Sequence, residues 1–288
     1  MKPGELDYAA AHVAAAQAAS DESPLHLHLG DWGDGGEWTP EPGSEADLRR
    51  AQVRLDQRVR AHAGLQSGQA ILDIGCGLGG TLLAIDRALE GVRLVGVNID
   101  PDQLAVARRA LQARARNGWS LHEANACALP FASASFDRVL AIECAFHFPS
   151  RARFLAEVGR VLRPGGRLVL TDFVASPALA EQSEPLAPAR LSRAIEILVE
   201  ALAPWPDPRH SEGGYTKLAE RAGLEPREIV DLRAACAPSY DHILFGKPRE
   251  FEVEVLGRDE RGCAALAWLC EQDWLRLELR SFERRPCD

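Results

Sequence analysis

Between residues 70 and 173, short and wholly apolar runs alternate with longer amphipathic segments, and this rhythm restricts the fold more than any other feature of the chain. "AILDIG" (70–75), "RLVGVNI" (93–99), "FDRVLAIE" (136–143) and "RLVLTDF" (167–173) have the length and continuous hydrophobicity of strands covered on both faces; "SLHEA" (120–124) is a weaker one. The segments between them, "GTLLAIDRAL" (80–89), "PDQLAVARRALQARAR" (101–116) and "SRARFLAEVGRVL" (150–162), read as helices. Pro101 stands at a favoured helix start, and Phe154, Leu155, Val158, Val161 and Leu162 share one stripe. Such an α/β alternation implies a mostly parallel, doubly wound sheet, with "RPGG" (163–166) as the turn before its fifth strand.

The flanks suggest four parts: N-terminal helices and a lid loop over 1–65, the core over 66–175, a helical insertion capping the substrate over 176–212, and the rest of the sheet over 213–288. The first twenty residues carry one lysine and an alanine-rich run broken by His12 and Gln17, which reads as a helix and not as a signal peptide. "LHLHLGDWGDGGEWTPEPG" (25–43) is too rich in Gly, Pro and Trp for regular structure, so it reads as a lid-like loop. A helix over 44–65 begins with Ser44 and Asp47 at capping spacing. Further helices are expected at about 189–203, 213–223 and 263–272, and further strands at 225–232 and 273–286.

Charge and composition exclude several classes. A net charge of −9 with interspersed signs leaves no footprint for nucleic acid, and the basic groups of 107–116 read as a solvated helix face. No apolar run approaches the roughly 20 residues of a membrane helix. The seven cysteines are odd in number and lack a CxxC pair, which fits a reducing cytoplasm better than a disulfide framework or a zinc site. "HLH" at 26–28 puts two imidazoles on one face of an extended segment, but without a third partner, and no metal is expected. Nothing in the sequence reports the oligomeric state.

"ILDIGCGLGG" (71–80) contains GxGxxG as Gly75, Gly77 and Gly80 at a strand-to-helix turn, a weak signal of a nucleotide site by itself. Asp73 precedes those glycines at the strand end. A carboxylate there repels a pyrophosphate but suits a cation, which points away from NAD and toward S-adenosylmethionine, with its ammonium and sulfonium.

Taken with the motifs after it, this stretch resembles the class I S-adenosylmethionine-dependent methyltransferases, closely over about 64–175. "LDIGCGLGG" matches the glycine-rich first motif, "GVNID" the second, "ANACALPF" (124–131) the motif before strand four, "FDRVLAIECAFHF" strand four and its loop, and "VLRPGGRLVLTDF" strand five. The resemblance implies a seven-stranded Rossmann-like sheet, an N-terminal helical lid and an insertion after strand five. It also implies a cofactor site in which Asp73, Gly75, Gly77 and Gly79 line the methionine part, Asn98, Ile99 and Gln103 meet the ribose and adenine, and Asn125 and Ala126 flank the adenine. Glu143 reads as part of the cofactor pocket wall. Asn98 and Asn125 stand where the family usually has acidic residues; each retains the hydrogen bond without the charge, and a purely turn-forming role for both stays open.

Methyl transfer to a hydroxyl or enol is an in-line displacement that requires an aligned nucleophile and a proton acceptor. In similar small-molecule methyltransferases a histidine just after strand four lies beside the nucleophile, which makes His147 the candidate general base, with Asp172 orienting it or the substrate. A packing role for His147 between Phe146 and Phe148 is the competing reading. Trp32, Tyr8, Tyr240 and His242 are candidate substrate contacts. The resemblance is strongest to natural-product tailoring enzymes and implies O-methylation of a polyketide-like small molecule. N- or C-methylation and a non-methylating cyclase are the alternatives. "ECAF" in place of "DPPY" or "NPPY" disfavours the DNA amino-methyltransferases.

Overall fold

A computed structural model of the chain describes residues 26–33, 41, 43–180, 188–202, 205, 212–253 and 255–286. The expected helix over the first twenty residues lies outside them, as does Tyr8.

The sheet is built around four strands, β1, β2, β4 and β5, that come from the continuous apolar runs of the sequence. β1 (Ala70–Ile74) is buried along its whole length, and β2 (Arg93–Asn98), β3 (Gly118–Glu123), β4 (Phe136–Ile142), β5 (Leu162–Ala175), β6 (Leu224–Asp231) and β7 (Leu275–Arg284) complete seven strands in the order β3-β2-β1-β4-β5-β7-β6. All pairs are parallel except β5–β7 and β6–β7. The order reverses beside β1, so the carboxyl ends of β1 and β4 open the crevice in which such sheets bind ligands.

Period-two alternation divides the core into two layers. Ile71, Leu94, Leu140 and Val169 face one side, under α1 (Glu45–Ala63), α2 (Gly80–Ala88) and α3 (Pro101–Arg114). Leu72, Val95, Val139 and Leu168 face the other, under α4 (Arg151–Val161) and α7 (Glu212–Arg221). Ser44 caps α1 by accepting the N–H of Asp47, and Asp100 caps α3 ahead of Pro101. α5 (Pro177–Ala180) and α6 (Ala189–Ala201) belong to the insertion, and α6 packs against α10 (Arg258–Glu271).

Two local expectations need correcting. The segment 163–166 is not a separate turn: β5 already pairs with β4 at Leu162, and the four residues form an irregularity in that ladder before pairing resumes at Arg167. α10 begins at Arg258, five residues ahead of its apolar stripe, because Asp259 and Glu260 complement the helix start and Glu260 accepts the N–H of Gly257. Residues 233–243 hold two short helices, α8 (Arg233–Cys236) and α9 (Pro238–Ile243), each too brief to show a period.

Residues 26–33 form an extended strap that crosses the crevice. The N–H groups of Leu29, Gly30, Asp31 and Trp32 donate to Glu143 Oε2 (3.2 Å), Ser239 Oγ (2.9 Å), Ala51 O (2.9 Å) and Ala235 O (2.8 Å). Gln52 of α1 donates to His28 O at 2.8 Å, and Asp31 pairs with Arg58 at 3.0 Å. A side chain at Gly30 would come within 2.3 Å of Ala51 Cβ, so only glycine lets the strap lie this close to α1.

Candidate active site

Beneath the strap lies a cavity of about 270 Å³ at the carboxyl ends of β1, β2 and β4. Its floor is the turn after β1. A side chain at Gly75, where φ is +71°, would meet Cys144 at 2.7 Å, which explains the glycine there. Asp73, Gly75, Gly77, Asn98, Ile99, Gln103, Asn125, Ala126 and Glu143 all line this cavity, as do His147 and Tyr240. Gly79 does not line it: it precedes α2 and packs toward Ala107, whereas Gly80 and Thr81 reach the wall.

Asn98 Nδ2 donates to Gln103 Oε1 at 2.8 Å, and Asn98 Oδ1 accepts the N–H of Ile99, so the two side chains are held as one unit at the end of β2. Asn125 Oδ1 accepts the N–H of Cys127 at 2.8 Å, a turn-forming contact that leaves one lone pair for a ligand. The other end of the cavity is apolar, with Phe146, Phe173, Leu202, Ile243 and Leu266. His147 lines the cavity with its ring 4.1 Å from that of Phe146.

Three further expected site residues are placed elsewhere. Asp172 is fully buried, with its carboxylate bound by Arg151 at 2.7 and 3.2 Å, and does not orient His147. The reason is the pleat: Phe173 faces the cavity, so its neighbour Asp172 faces the opposite layer. Trp32 is buried and its indole donates to Ser239 Oγ at 2.7 Å, which makes it an anchor of the strap. His242 packs beside Trp32, with ring centroids 6.0 Å apart, and neither lines the cavity. Phe173, Leu202, Leu266 and Thr81 line it without having been singled out from sequence. His26 and His28 also line it, and "HLH" was the visible signal for them.

The electrostatics define what fits. Among the described residues lining the cavity are three carboxylates, Asp73, Glu143 and Asp259, and no arginine or lysine. Burial, reinforced by the charge of Asp56, pushes the Asp73 carboxyl up to about 8. Burial and the charge of Asp172 push Glu143 to about 8 against the lowering effect of the Leu29 N–H, and Glu143 Oε1 has no hydrogen-bond partner. Two carboxyls held out of water without a cation are suited to a ligand that brings positive charge. S-adenosylmethionine, with an ammonium and a sulfonium, meets that requirement.

These raised values have a consequence for stability. Both groups keep their protons in the folded chain through a range in which the unfolded chain ionises, so their contribution is full below about pH 4 and is lost as pH climbs to about 8. The melting temperature of ligand-free protein is expected to fall between pH 5 and 8.5, and the Asp73→Asn, Glu143→Gln double variant to flatten that slope. An unchanged slope in the variant, measured by scanning calorimetry, would show that other groups set it.

A Methyltransferase domain model matches residues 72–170. The chain is 32% identical to Methyltransferase GfsG of Streptomyces halstedii over 76% of its own length and 73% of that protein. It is 33% identical to the 27-O-demethylrifamycin SV methyltransferase of Amycolatopsis mediterranei (strain S699), over 75% and 72% of the two chains. Among solved structures, the geranyl diphosphate C-methyltransferase of Streptomyces coelicolor A3(2) superposes with a TM-score of 0.72 at 20% identity, covering 96% of this chain and 98% of that one. The sheet order, the acidic cavity at its switch point and these relatives define a Rossmann-like methyltransferase. The chain belongs to the class I S-adenosylmethionine-dependent small-molecule methyltransferases.

Proposed function

We propose that the chain is an O-methyltransferase acting on a hydroxyl or enol of a small, polyketide-like natural product. The observation that carries this reading is that His147, just after β4, lines the same cavity as Asp73, Asn98 and Asn125 and packs on the apolar Phe146. S-adenosylmethionine supplies a methyl group activated by its sulfonium. Asp73 with Gly75 and Gly77 holds the amino-acid part, Asn98, Ile99 and Gln103 the ribose and adenine, and Asn125 and Ala126 the adenine edge. Glu143 forms the wall beside the cationic sulfur. His147 takes the proton of the acceptor hydroxyl as its oxygen attacks. Phe146, Phe173 and Tyr240 hold the apolar body of the acceptor and exclude water, and Leu202, just after α6 of the insertion, covers it.

The test is incubation with S-adenosylmethionine and a panel of hydroxylated polyketides. The expected result is formation of S-adenosylhomocysteine together with a product one methyl group heavier, its new carbon placed on oxygen by NMR. A methyl found on carbon or nitrogen, or conversion of the acceptor without S-adenosylhomocysteine, would overturn the O-methylation reading.

A further inference from the structure

His26 and His28 reach the cavity from the strap, and the chemistry above uses neither. Nδ1 of His28 lies 2.7 Å from the carbonyl oxygen of Leu29, and its Nε2 lies 3.2 Å from Nδ1 of His26. A carbonyl only accepts, so Nδ1 of His28 carries the proton and Nε2 of the neutral ring accepts. The proton between the rings therefore belongs to Nδ1 of His26, and Nε2 of His26 is a lone pair. The two rings form a wired pair with one basic nitrogen to offer.

Their place in the cavity is defined by Leu27 between them. Leu27 packs on Leu78 and Val106, and a Cβ on Gly77 would come within 3.6 Å of its side chain, so the strap crosses the glycine turn here, and both rings line the same cavity as that turn. The charge of Asp56 acts on both His28 and Asp73. This is the end of the cavity assigned to the cofactor's ammonium, and in the cofactor a carboxylate is attached to the same carbon as that ammonium. A carboxylate removed from water needs a donor, best a charged one. No arginine or lysine is present among the described lining residues.

We propose that the His26–His28 pair is the subsite for the cofactor's α-carboxylate, and that Nε2 of His26 takes up a proton as the carboxylate arrives. The protonated ring then donates from Nε2 to the carboxylate while Nδ1–H still donates to His28, so no existing hydrogen bond is broken. Removal from water holds both imidazoles below their usual value, which leaves the ligand-free pair neutral and makes the proton arrive with the anion. Around the pair, Arg60 of α1 opposes the added charge on His26 and Asp56 of α1 favours charge on His28. Asp73 at the end of β1 and Glu143 after β4, which holds the Leu29 N–H, face the same cavity, and burial keeps both carboxyls protonated up to about pH 8. The inference rests on the use of S-adenosylmethionine and is independent of which acceptor atom is methylated.

Isothermal titration of the full chain with S-adenosylhomocysteine and with its decarboxylated analogue, which keeps the ammonium and the adenosine, tests this. The His26→Gln, His28→Gln double variant is expected to bind S-adenosylhomocysteine about ten- to a hundredfold more weakly while its affinity for the analogue stays within about twofold. The wild type is expected to take up about one more proton with S-adenosylhomocysteine than with the analogue near pH 8, read from the dependence of the heat on buffer ionisation. Leu27→Ala, which loosens the strap without touching the pair, is expected to weaken both ligands equally. Equal losses for both ligands in the histidine variant would overturn the proposal and make the pair a support for the strap.

Discussion

Replacing His147 by alanine is expected to lower kcat by about a hundred- to ten-thousandfold, the usual contribution of a positioned proton acceptor, while the dissociation constant for S-adenosylhomocysteine stays within about twofold of wild type. The split between these two quantities matters because His147 also packs on Phe146, which in turn stacks on Phe173 and Trp205 at 5.4 and 4.6 Å. A ring that only fills space would, when removed, disturb acceptor binding and stability together and leave turnover at saturating acceptor largely intact. A His147→Asn variant restores much of the volume without a group that can accept the proton at neutral pH. Turnover in that variant close to wild type would remove His147 from the chemistry.

Arg151→Leu is expected to cost about 3–5 kcal/mol of stability, because it leaves the fully buried carboxylate of Asp172 without its charge partner. The corresponding fall in melting temperature is roughly 6–15 °C for a domain of this size. The double variant Arg151→Leu, Asp172→Leu removes both charges and should recover much of the loss, since an apolar pair of similar volume avoids the desolvation of two ions. Scanning calorimetry of the two variants gives the comparison. Equal destabilisation of single and double variants would show that the pair contributes through its wider contacts, such as Tyr215, whose hydroxyl is pushed up by burial and by the charge of Asp172.

The placement of Asp172 also marks where reading the sequence reaches its limit. β1, β2, β4 and β5 were legible because buried parallel strands leave continuous apolar runs, and the order of motifs located Asp73, Asn98, Asn125 and Glu143 at strand ends that do meet in one cavity. Which face a residue takes within a strand buried on both sides is not written in such a run, and Phe173 rather than Asp172 faces the cavity for that reason. The strap was legible as irregular but not as to its course, since its path is set by partners at Ala51, Glu143, Ala235 and Ser239, far away in sequence. Trp32 looked like a substrate contact because it is aromatic and in a loop; its indole N–H found Ser239 instead. α8 and α9 left no trace, because four- and six-residue helices complete too few turns to repeat a pattern.

The order β5-β7-β6 places the last strand of the chain between two earlier ones. β6 has no hydrogen-bonded neighbour in the sheet other than β7, and β5 meets β7 through pairs such as Arg167 with Glu283. During synthesis β5 therefore presents an open edge and β6 stays unpaired until β7 has left the ribosome. Closing loops of that length is slow compared with forming the local βαβ units, so completion of the sheet should be the late step of folding and the interval in which the nascent chain is most open to association through its edges.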